Sequence, residues 1–119
     1  MQRLLLIDDD ESNRITLALL LEDEGFEVAV AASLAEAAST LRSSTTDWDA
    51  VLLDSILGDG QGYELVPLIR ERVPHAKIVA VSGGSVEDWA RVRIDAALPK
   101  GMRFPEFLSG LRALLKARD

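Results

Sequence analysis

LLLIDDDESNR, residues 4–14, is the stretch on which the fold turns. Four apolar residues on consecutive positions, Leu4 to Ile7, run straight into Asp8, Asp9 and Asp10. Consecutive rather than alternating apolar residues suit a strand buried on both faces, as in a parallel sheet covered by helices. The same kind of run recurs at Val28–Ala31, Ala50–Leu53 and Ile78–Val81, with a shorter one at Ala96–Leu98. Helical stretches lie between these runs. Ser12 to Glu24 ends at Gly25, a favourable C-terminal cap. Ser33-Leu34-Ala35-Glu36 matches the capping box that opens a helix, which can run to Arg42. Tyr63 to Arg72 carries Pro67, which should kink that helix or push its start later. Ser85 to Arg93 reads as a short helix, and Phe104 to Ala117 closes the chain. On that last helix Phe104, Phe107, Leu108, Leu111, Leu114 and Leu115 form one stripe. Five repeats of strand and helix predict right-handed crossovers and an open α/β sheet with helices on both faces. A site in such a fold belongs at the carboxyl ends of the strands.

At 119 residues the chain is sized for a single domain, 1–119, and 48% hydrophobic with 28% charged residues is a globular composition. The absence of cysteine excludes disulfide scaffolds, thiolate zinc sites and cysteine nucleophiles. Thirteen basic against 20 acidic residues give a net charge of −7. That sign argues against direct nucleic-acid binding by this domain, which rests on neutralising phosphates. The four-residue run at Leu4–Ile7 is too short for a signal-peptide core or a membrane span, so a cytoplasmic protein with no membrane contact is expected. Within these 119 residues no output domain follows the last helix.

The residues that follow each strand carry the chemistry. Asp8, Asp9 and Asp10 follow the first, Asp54 the third, Ser82-Gly83-Gly84 the fourth, and Lys100 the fifth. Asp10 or Ser12 fits a helix cap. Carboxylates brought together at one edge repel one another unless something positive sits among them. A hard divalent cation answers that need, and oxygen ligands with room for water suit Mg²⁺. A hydroxyl and an ammonium at the same edge suit the oxygens of a phosphoryl group. Together they imply phosphoryl transfer onto a carboxylate.

These residues resemble the receiver domain of two-component response regulators, and the likeness spans essentially the whole chain. It rests on residues 4–14, on the Ala50–Asp54 strand with its following GDGQG loop, on IVAVSGG at 78–84, and on Lys100 before the last helix. The resemblance implies a flavodoxin-like (βα)5 fold with strand order 2-1-3-4-5, an arrangement that serves as a standard example of doubly wound folds. It implies that Asp54 is the phosphoacceptor, supplied by a sensor histidine kinase or phosphotransfer protein. Asp8, Asp9 and Asp54 would hold Mg²⁺ with the backbone carbonyl of Ile56. Ser82 would hydrogen-bond the phosphoryl group and Lys100 would pair with it. Such a domain is a signalling module rather than a turnover enzyme, its output partner unknown and a dimer contact open to it.

Three departures bear on switching. Gly101 stands where such domains usually have a proline joined by a cis bond, so the Lys100-Gly101 bond is expected to be trans. Ala97 replaces the usual aromatic switch residue, which moves the expected signal route to 82–85 and the fourth helix or to a dimer contact. Ile56 and Gly84, two past the acceptor and two past the hydroxyl, lack a side-chain proton carrier, so slow hydrolysis of the phosphoaspartate is expected.

Other motifs have plainer readings. Gly58, Gly60 and Gly62 fit a turn-forming loop better than a phosphate cradle, because they do not open a helix after the first strand. His75 fits an exposed connection, and Trp48 and Trp89 fit packing or surface positions. Leu17-Ala18-Leu19-Leu20-Leu21 fits a well-buried helix, with a contact surface as the alternative. Two functional alternatives share much of the pattern: a receiver that only docks without taking phosphate, and a flavin-binding flavodoxin. An aspartyl-phosphate phosphohydrolase is disfavoured, since Ile56 stands where its acid/base carboxylate belongs.

Overall fold

The computed structural model describes residues 2–82 and 93–116, with Ser82 by its backbone alone. The apolar runs form strands β1 (Arg3–Ile7), β2 (Glu27–Ala31), β3 (Ala50–Asp54), β6 (Lys77–Ser82) and β7 (Ala96–Pro99). They pair in parallel in the order β2-β1-β3-β6-β7, the expected strand order once two short strands are set apart. Those two, β4 (Ile56–Leu57) and β5 (Gly60–Gln61), form a separate antiparallel hairpin directly after β3. It occupies the glycine-bearing loop, confirming a turn there.

Helices α1 (Glu11–Asp23), α2 (Leu34–Ser43), α3 (Val66–Arg72) and α4 (Phe104–Lys116) complete the described elements. Asp10, not Ser12, caps α1: its Oδ1 accepts from the Asn13 N–H at 2.9 Å. Ser33 caps α2, accepting from the Glu36 N–H at 3.0 Å. The 63–72 stretch opens as a 3-10 turn, Gly62–Leu65, and becomes α-helical only at Val66, with Pro67 in the first turn. Proline is tolerated there because the first helical N–H groups have no partner within the helix. The helix expected from Ser85 to Arg93, and with it Gly83, Gly84 and Trp89, lies outside the described residues.

The sheet separates two apolar layers. Leu5, Ile7, Val51, Leu53, Ile78 and Ala80 face α2 and α3, where Leu41, Val66 and Ile69 are buried. Leu4, Leu6, Ala50, Leu52 and Val79 face α1 and α4, where Leu21, Phe107, Leu111 and Leu115 are buried. Alternation of side chains along each strand serves both layers at once, which is why consecutive positions had to be apolar. The expected stripe of α4 is borne out. The well-buried reading of Leu17–Leu21 is corrected: α1 fully buries only Leu21, while Leu19 is 62% exposed and Leu20 40%. One α1 stripe suffices to cover its side of the sheet, because α4 covers the rest. Trp48 is packed in the α2/α3 layer, and His75 lies exposed in the turn before β6.

Candidate functional site

Parallel pairing brings the carboxyl ends of β1, β3, β6 and β7 to one edge. Ile7 lies beside Leu53, Asp54 beside Val81, and Ser82 beside Pro99. Asp8, leaving β1, Asp54, ending β3, and Lys100, leaving β7, therefore converge from distant parts of the chain. One carboxylate oxygen from each of Asp8, Asp9 and Asp54 lies within 4.8 Å of the others. The Lys100 Nζ stands 2.9 Å from Asp54 Oδ1.

Burial sets the electrostatics. Asp54 is 2% exposed, and its Oδ2 is buried with no donor among the described residues. Lys100 meets Oδ1 as an ion pair, not as a well-aligned hydrogen bond. Burying a carboxylate is unfavourable unless charge or donors compensate it, and one ammonium serves only part of this cluster. Burial pushes the Asp8 carboxyl above its ordinary range, the nearby Asp54 adding to the rise and the Asp10 N–H opposing it. Burial alone would lower the Lys100 ammonium. Contact with Asp54, helped by Asp8 and Asp9, outweighs that and holds it above its usual value.

The orphaned Oδ2 and the three close oxygens form a hard, anionic donor set with one exposed member, Asp9. That set fits a small oxygen-preferring cation such as Mg²⁺. Ile56 begins β4, so its backbone belongs to the hairpin that follows β3, and it is 72% exposed. Ser82 ends β6 beside Pro99, while its hydroxyl is outside the described atoms. The peptide bonds of the described residues are all trans, Lys100-Gly101 included, as the glycine led us to expect.

Asp10 is separate from this constellation. Its side chain is engaged in capping α1, while its N–H donates to Asp8 Oδ1 at 2.9 Å and so helps hold that carboxylate in place. Asp8 is further fixed through its carbonyl, which accepts from Arg14 Nη1 at 2.9 Å. Sequence reasoning missed Arg14, and it missed Asp59, whose carboxylate reaches the start of α2. A residue spacing of 6 on an early helical turn could have flagged Arg14; no local signal points to Asp59.

A family model described as the response regulator receiver domain matches residues 4–111. The chain is 35% identical over 94 residues to the alginate biosynthesis transcriptional regulatory protein AlgB of Pseudomonas putida, covering 79% of this chain and 20% of that protein. It is 34% identical over 80 residues to the photosynthetic apparatus regulatory protein RegA of Rhodobacter capsulatus, covering 67% of this chain and 42% of that protein. The chain thus spans from about a fifth to about two fifths of the length of these relatives. Among solved structures it resembles a CheY-like receiver domain protein of Methanospirillum hungatei, with a TM-score of 0.91, 26% identity, and coverage of 99% of this chain and 96% of the other. It also resembles the response regulator protein TrrA of Thermotoga maritima, solved in complex with Mg²⁺ and BeF, at a TM-score of 0.82 and 28% identity, covering 96% and 99%.

Proposed function

We propose a phosphoacceptor role for this chain, which belongs to the response regulator receiver family: Asp54 takes a phosphoryl group from a phosphohistidine of a sensor kinase or phosphotransfer protein. One observation carries this reading. Asp54 is a buried carboxylate with an oxygen that finds no donor among the described residues, set among two further carboxylates and one ammonium at the sheet edge. A carboxylate oxygen of Asp54 attacks phosphorus as the P–N bond to the imidazole breaks, and the imidazole leaves with the electron pair of that bond. Asp8, Asp9 and Asp54, with the Ile56 carbonyl, are the groups that would hold Mg²⁺. Bound there, the ion supplies positive charge against the phosphoryl oxygens and against the three carboxylates. Lys100, already paired with Asp54, lies in reach to follow the charge onto the new phosphoryl oxygens, and Ser82, at the end of the adjoining strand, is the residue to which this reading gives the hydroxyl donor. The domain then works as a signalling module whose two states are acted on by a partner. Among the described residues no helix is long and apolar enough to cross a membrane.

Incubation with acetyl phosphate and Mg²⁺, followed by intact mass, tests the reading. A gain of one phosphoryl group is expected, lost in Asp54→Ala and lost on chelation of Mg²⁺. Uptake by Asp54→Ala at the wild-type rate overturns the acceptor. No uptake by the wild-type chain, from acetyl phosphate or from a phosphorylated kinase, favours a module that docks without phosphate.

A further inference from the structure

The hairpin that carries Ile56 cannot hold its own shape. Its strands are two residues each, paired Ile56 with Gln61 and Leu57 with Gly60, and hairpins far longer than this are only marginally stable in water. Its order must come from outside attachments, and the described residues supply three kinds. At the base, the Gly62 N–H donates to the Ser55 carbonyl at 2.9 Å, and a Cβ on Gly62 would stand 1.9 Å from the Asp54 carbonyl oxygen. On the C-terminal side, the Gln61 N–H donates to Glu64 Oε2 at 2.7 Å. At the tip, the Asp59 carboxylate accepts from two successive N–H groups of α2, Leu34 at 2.9 Å through Oδ1 and Ala35 at 3.0 Å through Oδ2.

The third attachment differs in kind, because it joins the hairpin to an element 24 and 25 residues earlier in the chain. It spends both oxygens of one carboxylate on the unpartnered N–H groups of a helix start, where negative charge is favoured. Contact is close alongside it: a Cβ on Gly60 would meet Leu34 Cδ1 at 2.6 Å. The other side of the tip adjoins the acidic cluster, since a Cβ on Gly58 would lie 3.7 Å from Asp9 Oδ2. Ser33, by contrast, caps α2 wholly within the helix and touches no part of the hairpin in its bond to Glu36.

We propose that Asp59 is a positioning residue for the metal site, clasping the hairpin tip to the start of α2 so that the Ile56 carbonyl is held ready beside Asp9 and Asp54. This rests on the Mg²⁺ site proposed above and assigns it a residue that touches neither the ion nor the phosphoryl group. Coupling is reciprocal: if the clasp strengthens Mg²⁺ binding, Mg²⁺ must strengthen the clasp by the same factor. Loading of the acidic site therefore tightens the N-terminus of α2, on the far side of the hairpin.

The test compares the wild-type chain with Asp59→Ala, Asp59→Asn, Ser33→Ala and Asp9→Asn. Mg²⁺ affinity is read by calorimetry, thermal midpoint in chelator, and amide exchange at residues 34 and 35 with and without Mg²⁺. Asp59→Ala and Ser33→Ala each remove a cap from the same helix and should both lower the midpoint. Only Asp59→Ala should also weaken Mg²⁺ binding, by roughly fivefold or more, the low end of typical coupling between sites. In the wild type, Mg²⁺ should slow exchange at 34 and 35 by a similar factor, and in Asp59→Ala it should not. Asp59→Asn keeps one acceptor oxygen and should fall between, which also serves if Asp59→Ala does not fold. Wild-type affinity in the Asp59 variants, or equal weakening in Ser33→Ala, overturns the proposal while Asp9→Asn still loses the ion. A folded wild-type chain that binds no Mg²⁺ removes both this proposal and the site beneath it.

Discussion

Asp54 is the most deeply buried charged side chain among the described residues, at 2% exposure with Asp8 and Asp9 nearby. Lys100 is its single cationic contact among the described residues, at 2.9 Å. Removing one partner of a fully buried pair typically costs ~3–5 kcal/mol. The Lys100 side chain is 38% exposed, and water screening reduces that figure to about 1–3 kcal/mol. Lys100→Ala should therefore lower metal-free stability by that amount in urea titration. Asp54→Asn combined with Lys100→Ala should recover most of it, since the most deeply buried carboxylate then carries no charge. Equal losses in the single and double variants would mean that the pair contributes through packing alone. The side chain of Ile56 governs a second property. It is 72% exposed and has no group able to position or deprotonate water. General acid–base assistance is worth ~10²–10⁴ in rate, so the phosphoaspartate formed with acetyl phosphate should persist for minutes to hours after the donor is removed. Loss of phosphate within seconds would contradict it.

At the scale of elements, two glycines beside the site are required for opposite reasons. Gly62 has no room for a side chain, because a Cβ would fall 1.9 Å from the Asp54 carbonyl oxygen. Gly101 has open space around it but a φ of +84°, in the left-handed region. Gly62→Ala must displace backbone at the end of β3 and should cost ~3 kcal/mol or more, with loss of the proposed phosphoryl uptake. Gly101→Ala needs no displacement and should cost about 1–2 kcal/mol, with the protein still folded and measurable by its thermal midpoint. The Asp59 clasp makes its own prediction against pH. Hydrogen bonds from Leu34 and Ala35 hold its carboxyl below the ordinary range. A depressed folded value means that its contribution is present above the unfolded pKa of ~3.9 and disappears as pH falls through the folded one. The wild type should thus lose more stability than Asp59→Asn between about pH 4 and the acid transition. Parallel acid profiles would count against the clasp as a charged contact.

Across the molecule, stability divides unevenly between the two layers and the outer faces. Leu111 is fully buried against the sheet from α4, and Leu111→Ala should cost ~2–5 kcal/mol. Leu19 lies on the same side of the sheet yet points largely to solvent, at 62% exposure. Leu19→Ala should change stability by less than about 0.5 kcal/mol, as substitutions away from the core usually do. The two variants measured side by side in urea report whether α1 or α4 is the principal cover of that layer. A loss at Leu19 comparable to that at Leu111 would show that α1 is docked in solution more deeply than a 62% exposed Leu19 allows.

The five strand runs and the edge at which Asp8, Asp9, Asp54 and Lys100 gather were legible in the amino-acid order, while the strand order came with the family resemblance. Burial on both faces leaves no freedom at consecutive positions of a central strand, and polar residues can begin only where that burial ends. Capping by Ser33 and the late helix start at Val66, which puts Pro67 in the first turn, were legible for a similar reason, since each depends on neighbours within a few residues. The hairpin after β3 was not, because two-residue strands carry no period to read. Nor was the exposure of Leu19 and Leu20, because an apolar run states what could be buried, and the area left by α4 decides what is. Asp59 shows the limit most sharply. Nothing around it in GDGQG distinguishes a cap from a solvated turn residue, and its donors lie 24 and 25 positions away. Only the closed tertiary structure brings those N–H groups to it, and the same closure sets Lys100 Nζ at 2.9 Å from a carboxylate 46 residues earlier in the chain, Asp54. Local order therefore determined the long strands and helices and where chemistry could stand, whereas the distances between charges, on which their interaction depends and which span the chain, were decided by packing alone.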